Sequence, residues 1–204
     1  MSSLWERPAQ ELLQAAASGA PTPGGGSTAA LTAAFGAALL EMALNITLKK
    51  NGEAAAEALR PVLQTLGSLR ERLQTLADED VRAFRAYVQA TRLPEGPEQN
   101  EALAAAGKAS MQTPLQLART ALEALDLAPP LATQVHAEVI SDVGAGAAIL
   151  EGALHAALLT VDINLPHIPE EEREGLKAER DMLEARGRDR AAQTLRQTRE
   201  RLPG

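Results

Sequence analysis

Hydrophobic positions along this chain recur at intervals of three and four residues, and clusters of proline and glycine interrupt them. Residues 3–18, carrying Leu4, Trp5, Leu12 and Leu13, predict a short amphipathic helix, which the Pro/Gly stretch 19–26 cannot continue. Ser27 then offers an N-cap for a helix running to about Leu48, where Lys49-Lys50-Asn51-Gly52 supply a basic last turn and a stop. The next helix spans about Glu53 to Arg92. Pro61 lies near its start, and Leu66, Leu69, Leu73, Leu76, Asp80, Phe84 and Tyr87 share one face. Beyond the break at residues 93–97, a helix over about Glu98–Leu127 bends at Pro114 and ends at Pro129-Pro130. Leu131 to about Val161 is again helical. The charged segment 170–201 closes the chain, its opposite charges at i,i+4 suiting a solvated face.

Two of these helices, 27–48 and 131–161, are apolar nearly all round, which predicts burial. The expected fold is therefore all-α: one domain over residues 1–204, a single bundle of five or six helices with two buried Ala/Gly-rich core helices. Ala29–Leu48 also has the length of a membrane span, but Glu41 and Asn45 would be costly in lipid, so no membrane is expected. Two such helices in a short chain predict self-association, as a homodimer or a higher homo-oligomer.

Composition narrows the picture further. Aromatic residues are 2% of the chain and alanine is abundant, which suits close helix packing and disfavours strands. A net charge of −7 provides no field for nucleic acid. The lack of cysteine excludes disulfides, thiolate catalysis and cysteine-ligated metals, and His136, His155 and His167 have no metal-ligand spacing. Neither a metal nor a cofactor is expected. The first residues lack the basic start and apolar run of a signal peptide, so a cytoplasmic location is expected.

Four features could carry chemistry. Gly24-Gly25-Gly26-Ser27 places free backbone amides at the positive end of a long helix, a site for an anion or carbonyl; a tight turn at a close helix crossing explains the glycines equally well. Asp80 interrupts an apolar stripe, where a carboxylate must find a partner or take a raised pKa, whereas Asp78 points elsewhere and is expected to be solvated. Ser141 and Asp142 lie inside an apolar helix and are expected to be buried, with Glu138 one turn earlier able to share a proton with Asp142. Lys49 and Lys50 either bind a ligand or complement the helix terminus, and Asp162 and Asn164 end the second core helix.

In order along the chain, several segments resemble the cyclodeaminase domain of formiminotransferase-cyclodeaminases and its stand-alone relatives, some of them methenyltetrahydrofolate cyclohydrolases. These are Pro21 to Ser27, Thr47 with its following lysines, Asp78-Glu79-Asp80 with Phe84 to Tyr87, Pro114-Leu115 with Leu117-Ala118, Ser141-Asp142, and Val161 to Leu165. The resemblance covers about residues 5–170. It implies a dimerising helical bundle acting at N5 and N10 of tetrahydrofolate, as a formiminotetrahydrofolate cyclodeaminase or a methenyltetrahydrofolate cyclohydrolase. Both reactions pass through a tetrahedral carbon between the two nitrogens and need proton transfer rather than a metal. On this reading Asp80 and Asp142 are the catalytic carboxylates. Gly24, Gly25, Gly26, Ser27, Lys49, Lys50, Ser141 and Asn164 hold the folate, which is substrate rather than cofactor. The chain departs from the pattern at Val135-His136 and at Thr160-Val161, where the family commonly carries Gly-Asn and Asn-Val. These departures suit the alternative, a non-catalytic helical dimer of the same family that binds a metabolite or a partner protein.

Overall fold

In the computed structural model, which describes residues 3–51 and 53–202, six α-helices follow one another: α1 (Ala9–Ala16), α2 (Gly25–Asn51), α3 (Glu53–Ala90), α4 (Pro97–Gln134), α5 (Ile140–Asn164) and α6 (Glu170–Arg201). Three 3-10 turns, at Leu4–Glu6, Ala137–Val139 and Leu165–His167, complete the order, and there is no strand among the described residues. The all-helical class follows directly from the three- and four-residue periodicity.

Small residues decide how the bundle closes. Near its middle α2 meets α5 at Gly36 and Gly146, where a Cβ on Gly146 would lie 2.8 Å from the Gly36 carbonyl oxygen. Only hydrogen fits there. At the C-terminal end of α2, Thr47 Oγ1 accepts the His136 N–H at 2.9 Å, just before α5 begins, so the two helices run antiparallel. α3 and α4 pack around this pair, and α6 lies across α4 and α5. One core of alanine and leucine results; Leu40, Leu44, Leu73, Leu76, Leu125 and Leu154 are fully buried within it. Each such leucine stabilises the fold by about 1.5–3 kcal/mol.

Four expectations need correction. The two apolar helices are not buried all round: each packs one side into the bundle, and Phe35, Leu159 and Ile163 stay 63%, 67% and 72% exposed. Pro129-Pro130 does not end α4, which continues to Gln134. Proline there removes helix hydrogen bonds, but Pro129 packs into the core, and the Arg201 guanidinium caps the helix end by donating to the carbonyls of Ala132 and Val135. The second apolar helix begins at Ile140 rather than Leu131, because Thr47 holds the backbone at His136 in an extended conformation. Finally, α6 has a second face besides the solvated one. Its exposed side carries the expected i,i+4 pairs of Glu184 with Arg180 and Arg188. Glu179 also makes two bonds to Arg119, Arg186 and Arg190 pair with Asp126, and Arg180 grips Asp162, while Leu183, Gly187 and Ala191 enter the core. Gly52, part of the expected stop after α2, lies outside the described residues.

Candidate active site

The glycine segment and Asp80 build one local device. α2 begins at Gly25, so Ser27 is its third residue rather than its N-cap, and the Gly24 N–H donates to the Ser27 Oγ at 3.0 Å. The cap comes from another helix: the Ser27 N–H donates to Asp80 Oδ2 of α3 at 2.8 Å. Asp80 fits because Gly26 has no side chain. A Cβ on Gly26 would stand 2.2 Å from Asp80 Oδ1 and 2.8 Å from its Cγ. Gly26 is thus the space that the carboxylate fills, and neither it nor its neighbours 24, 25 and 27 line the adjacent cavity.

Burial pushes the Asp80 carboxyl above the usual carboxylate range, and the hydrogen bonds from Ser27 pull the other way. The acid lies in the wall of a cavity of about 330 Å³, at the lower end of the size range of small-molecule sites. Phe84 and Tyr87 supply aromatic walls from α3, Ser110 and Thr113 come from α4, and Thr160 and Asn164 come from α5.

Asn164 owes its orientation to a proline. Pro114 lacks an N–H, so the Ser110 carbonyl one turn earlier has no helical donor. Asn164 Nδ2 donates to that carbonyl at 3.0 Å and to the Thr160 carbonyl at 2.8 Å. With both amide hydrogens committed, Oδ1 is left as an acceptor for whatever enters the cavity.

The remaining candidates lie elsewhere. Asp142 is in the first turn of α5, about 33 Å from Asn164 at 1.5 Å per residue, so one chain does not bring the two proposed catalytic carboxylates together. Ser141 is exposed and Asp142 half-buried rather than both buried, because they lie on the outward side of the first turn of α5, whose Ile140 and Val143 face the core. Glu138 does not share a proton with Asp142; it forms an ion pair with Lys50, which holds its carboxyl below the usual range. Lys49 and Lys50 therefore belong to the Asp142 end, remote from Asp80. Asp78 is not solvated either: it accepts from the Ser3 Oγ at 2.6 Å and the Leu4 N–H at 2.8 Å, pinning the N-terminal turn onto α3.

Sequence reasoning missed Ser110, Thr113 and His167 as cavity residues. Pro114 was the available signal for Ser110, since a proline inside a helix always frees the carbonyl four residues before it. Nothing in the spacing pointed to His167.

A family model of formiminotransferase-cyclodeaminases matches residues 8–181 of the chain. Over 191 residues the chain is 36% identical to a methenyltetrahydrofolate cyclohydrolase of Methylorubrum extorquens, with 87% of this chain and 92% of that protein covered. It is 31% identical over 175 residues to the formimidoyltransferase-cyclodeaminase of Sus scrofa; that match covers 83% of this chain and 32% of the pig protein, so the chain spans about a third of that relative's length. A crystal structure of formiminotetrahydrofolate cyclodeaminase from Thermotoga maritima superposes with a TM-score of 0.87, covering 97% of this chain and 98% of that one at 24% identity, a likeness of fold.

Proposed function

The chain belongs to the formiminotransferase-cyclodeaminase family, and we propose that it is a folate one-carbon enzyme acting between N5 and N10 of tetrahydrofolate. The observation that carries this reading is Asp80, an acid of raised pKa in the wall of a cavity with aromatic sides and the free amide oxygen of Asn164. A flat, hydrogen-bonding heterocycle suits such walls. Methenyltetrahydrofolate cyclohydrolase activity is the first reading, because the cyclohydrolase relative is matched over nearly its whole length. Formiminotetrahydrofolate cyclodeaminase activity is the second, favoured by the similarity to the bifunctional enzymes.

Both reactions suit a carboxyl whose pKa is raised by burial, because it holds a proton more readily than an exposed carboxylate and can return it. In cyclohydrolysis, ionised Asp80 takes a proton from the attacking water as the oxygen bonds to the methenyl carbon. The carbon–N5 bond then breaks, N5 takes up one proton, and the carbinol hydroxyl releases the other to solvent as it becomes the carbonyl of the formyl group on N10. In cyclodeamination, N10 attacks the formimino carbon and passes its proton to the imino nitrogen, protonated Asp80 donates a second, and that nitrogen leaves as ammonia as its bond to carbon breaks. Neither sequence of steps requires a metal or cofactor.

The working unit in this proposal is a homodimer. The outward faces of α2 and α5 carry Phe35, Met42, Leu159 and Ile163, with no charged residue among the exposed positions 28–45 and 145–163. A contiguous face of this kind is unusual on a monomer, and a second copy related by a two-fold axis covers it with itself. Antiparallel pairing across that axis places the partner's Lys50 and the partner's Asp142 beside the Asp80 end of the first copy, making one site from both chains.

The test follows the absorbance of the 5,10-methenyl chromophore. Accelerated decay of methenyltetrahydrofolate supports the hydrolase, and appearance of the chromophore from 5-formiminotetrahydrofolate supports the deaminase. No rate with either substrate would refute the enzyme reading. Asp80→Asn and Asp142→Asn should each be inactive alone, and re-equilibrating the two together should restore about a quarter of the activity, because half of random dimers carry one intact site of two. No recovery on mixing would remove the shared site.

A further inference from the structure

Each of the two reactions moves one net proton between the cavity and solvent, and Asp80 cannot carry it alone. Hydrolysis consumes a water with two protons, of which one ends on N5 and the other must leave. Deamination runs the opposite way, because ammonia carries off one proton more than N10 and the imino nitrogen supply between them. Asp80 is fixed where it stands: it fills the hollow at Gly26, and the Ser27 N–H holds one of its oxygens. A carrier has to reach both the reacting atoms and water. In the wall of the Asp80 cavity the ionisable side chains are Asp80, Tyr87 and His167. Of these types, imidazole is the one that takes up and releases a proton most readily near neutrality.

His167 stands at the opening of that cavity. It also lines a larger cavity of about 840 Å³ between α4 and the start of α6, and it is exposed to solvent. Its backbone is held on both sides. Leu165 anchors the 3-10 turn in the core, and the Arg173 guanidinium of α6 donates to the Pro166 carbonyl at 3.0 Å and to the Ile168 carbonyl at 2.7 Å. The imidazole itself has no hydrogen-bond or ion-pair partner among the described residues. The charged side chains that share its two cavities are Asp80 of α3, Lys108 and Arg119 of α4 and Glu172 of α6, with Arg119 committed to Glu179. A ring with both nitrogens uncommitted, on a backbone that is pinned, turns between cavity and solvent without moving the site.

Resting on the folate reading above, we propose that His167 is the proton carrier of this reaction. In hydrolysis, neutral imidazole takes the proton of the carbinol hydroxyl, directly or through one water, as the formyl carbonyl forms and the carbon–N5 bond breaks. The imidazolium then releases that proton to solvent, while Asp80 has passed its own to N5 and is ionised again. In deamination the imidazolium returns to Asp80 the proton that Asp80 gave to the departing nitrogen. Asp80 thus ends each turnover as it began.

The experiment compares the full-length wild type with His167→Ala and with His167→Gln, which keeps a polar side chain of similar size but carries no proton. Methenyl absorbance gives kcat and KM, and calorimetry gives the affinity for 5-formyltetrahydrofolate, a stable analogue. Both variants should lose about 100-fold in kcat, the lower end for general acid–base catalysis, and keep KM and analogue affinity within about twofold. Free imidazole should restore about tenfold of the His167→Ala rate, after the enzyme-free rate is subtracted, and leave the wild type unchanged. The position is exposed, so circular dichroism should show both variants folded. A kcat near the wild-type value in either variant, or a loss in His167→Ala that imidazole does not relieve, overturns the carrier, while turnover by the wild type keeps the folate reading in place. No turnover of either folate by the wild type overturns both together.

Discussion

Replacing Gly26 with alanine tests whether that glycine exists to make room for Asp80. The new methyl would stand 2.2 Å from Asp80 Oδ1, well inside the 3.4 Å at which ordinary contact begins, so the carboxylate must withdraw by about 1 Å. That movement breaks its 2.8 Å bond from the Ser27 N–H. Losing a hydrogen bond to a charged group costs about 1.5–3 kcal/mol, and alanine returns about 0.5–1 kcal/mol by favouring the helix, for a net loss of about 1–2 kcal/mol. Thermal unfolding should register a Tm lower by about 5 °C. The catalytic effect should be larger, because an acid misplaced by about 1 Å loses on the order of 100-fold in rate. Gly67→Ala is the control. It lies inside α3 with nothing within 4 Å of the added methyl, and it should stabilise by about 0.5–1 kcal/mol without touching the rate. The assays are methenyl absorbance for rate and calorimetry for Tm. If Gly26→Ala keeps more than about half of the wild-type rate, where about 100-fold loss is expected, Gly26 is not there for Asp80.

Asp80→Asn should be inactive yet well folded, and its stability should reveal the raised pKa. A carboxyl that titrates higher when folded than unfolded binds more protons in the native state, so its contribution to stability falls as pH rises from its ordinary value of 3.8 through the folded value. The wild-type minus Asp80→Asn difference, from urea unfolding across about pH 3.5–7, should therefore decrease with rising pH; an increase refutes the buried-acid assignment. Pro114→Ala returns an N–H to α4 that competes with Asn164 for the Ser110 carbonyl. The substrate KM should rise about tenfold while the helix tolerates or welcomes the change, and an unaltered KM would mean that Asn164 is held without the proline. Phe35→Glu places a charge in the uncovered apolar face and should shift sedimentation from dimer to monomer with loss of activity; a dimer that persists would place the contact on another surface.

Much of this protein is written in its periodicity. The three- and four-residue spacing determined that the chain is all-helical, and the mismatch of one carboxylate on an apolar stripe singled out Asp80. Both are local signals, set within a few turns of one helix. Helix ends were harder, because tertiary partners overrode the breakers: Arg201 caps α4 beyond Pro129-Pro130, and Thr47 delays α5 by holding His136. The i,i+4 pairs on the solvated face of α6 were legible, but the bonds from its other charges to Arg119, Asp126 and Asp162 were not, because those partners lie on other helices.

The candidate site divides in the same way. The family resemblance suggested the glycines, Asp80, Asp142 and Asn164 as a set, since it rests on residue type and order. Which of them meet depended on helix direction. Because α2 and α5 run antiparallel, Gly26 and Asn164 share one end of the bundle with Asp80, and Lys50 and Asp142 share the other. Only the folded chain shows that Gly26 is the hollow for a carboxylate rather than a ligand cradle, and that Pro114 acts by leaving a carbonyl for Asn164. Spacing along a chain records which face a residue occupies; it carries no information about what packs against that face.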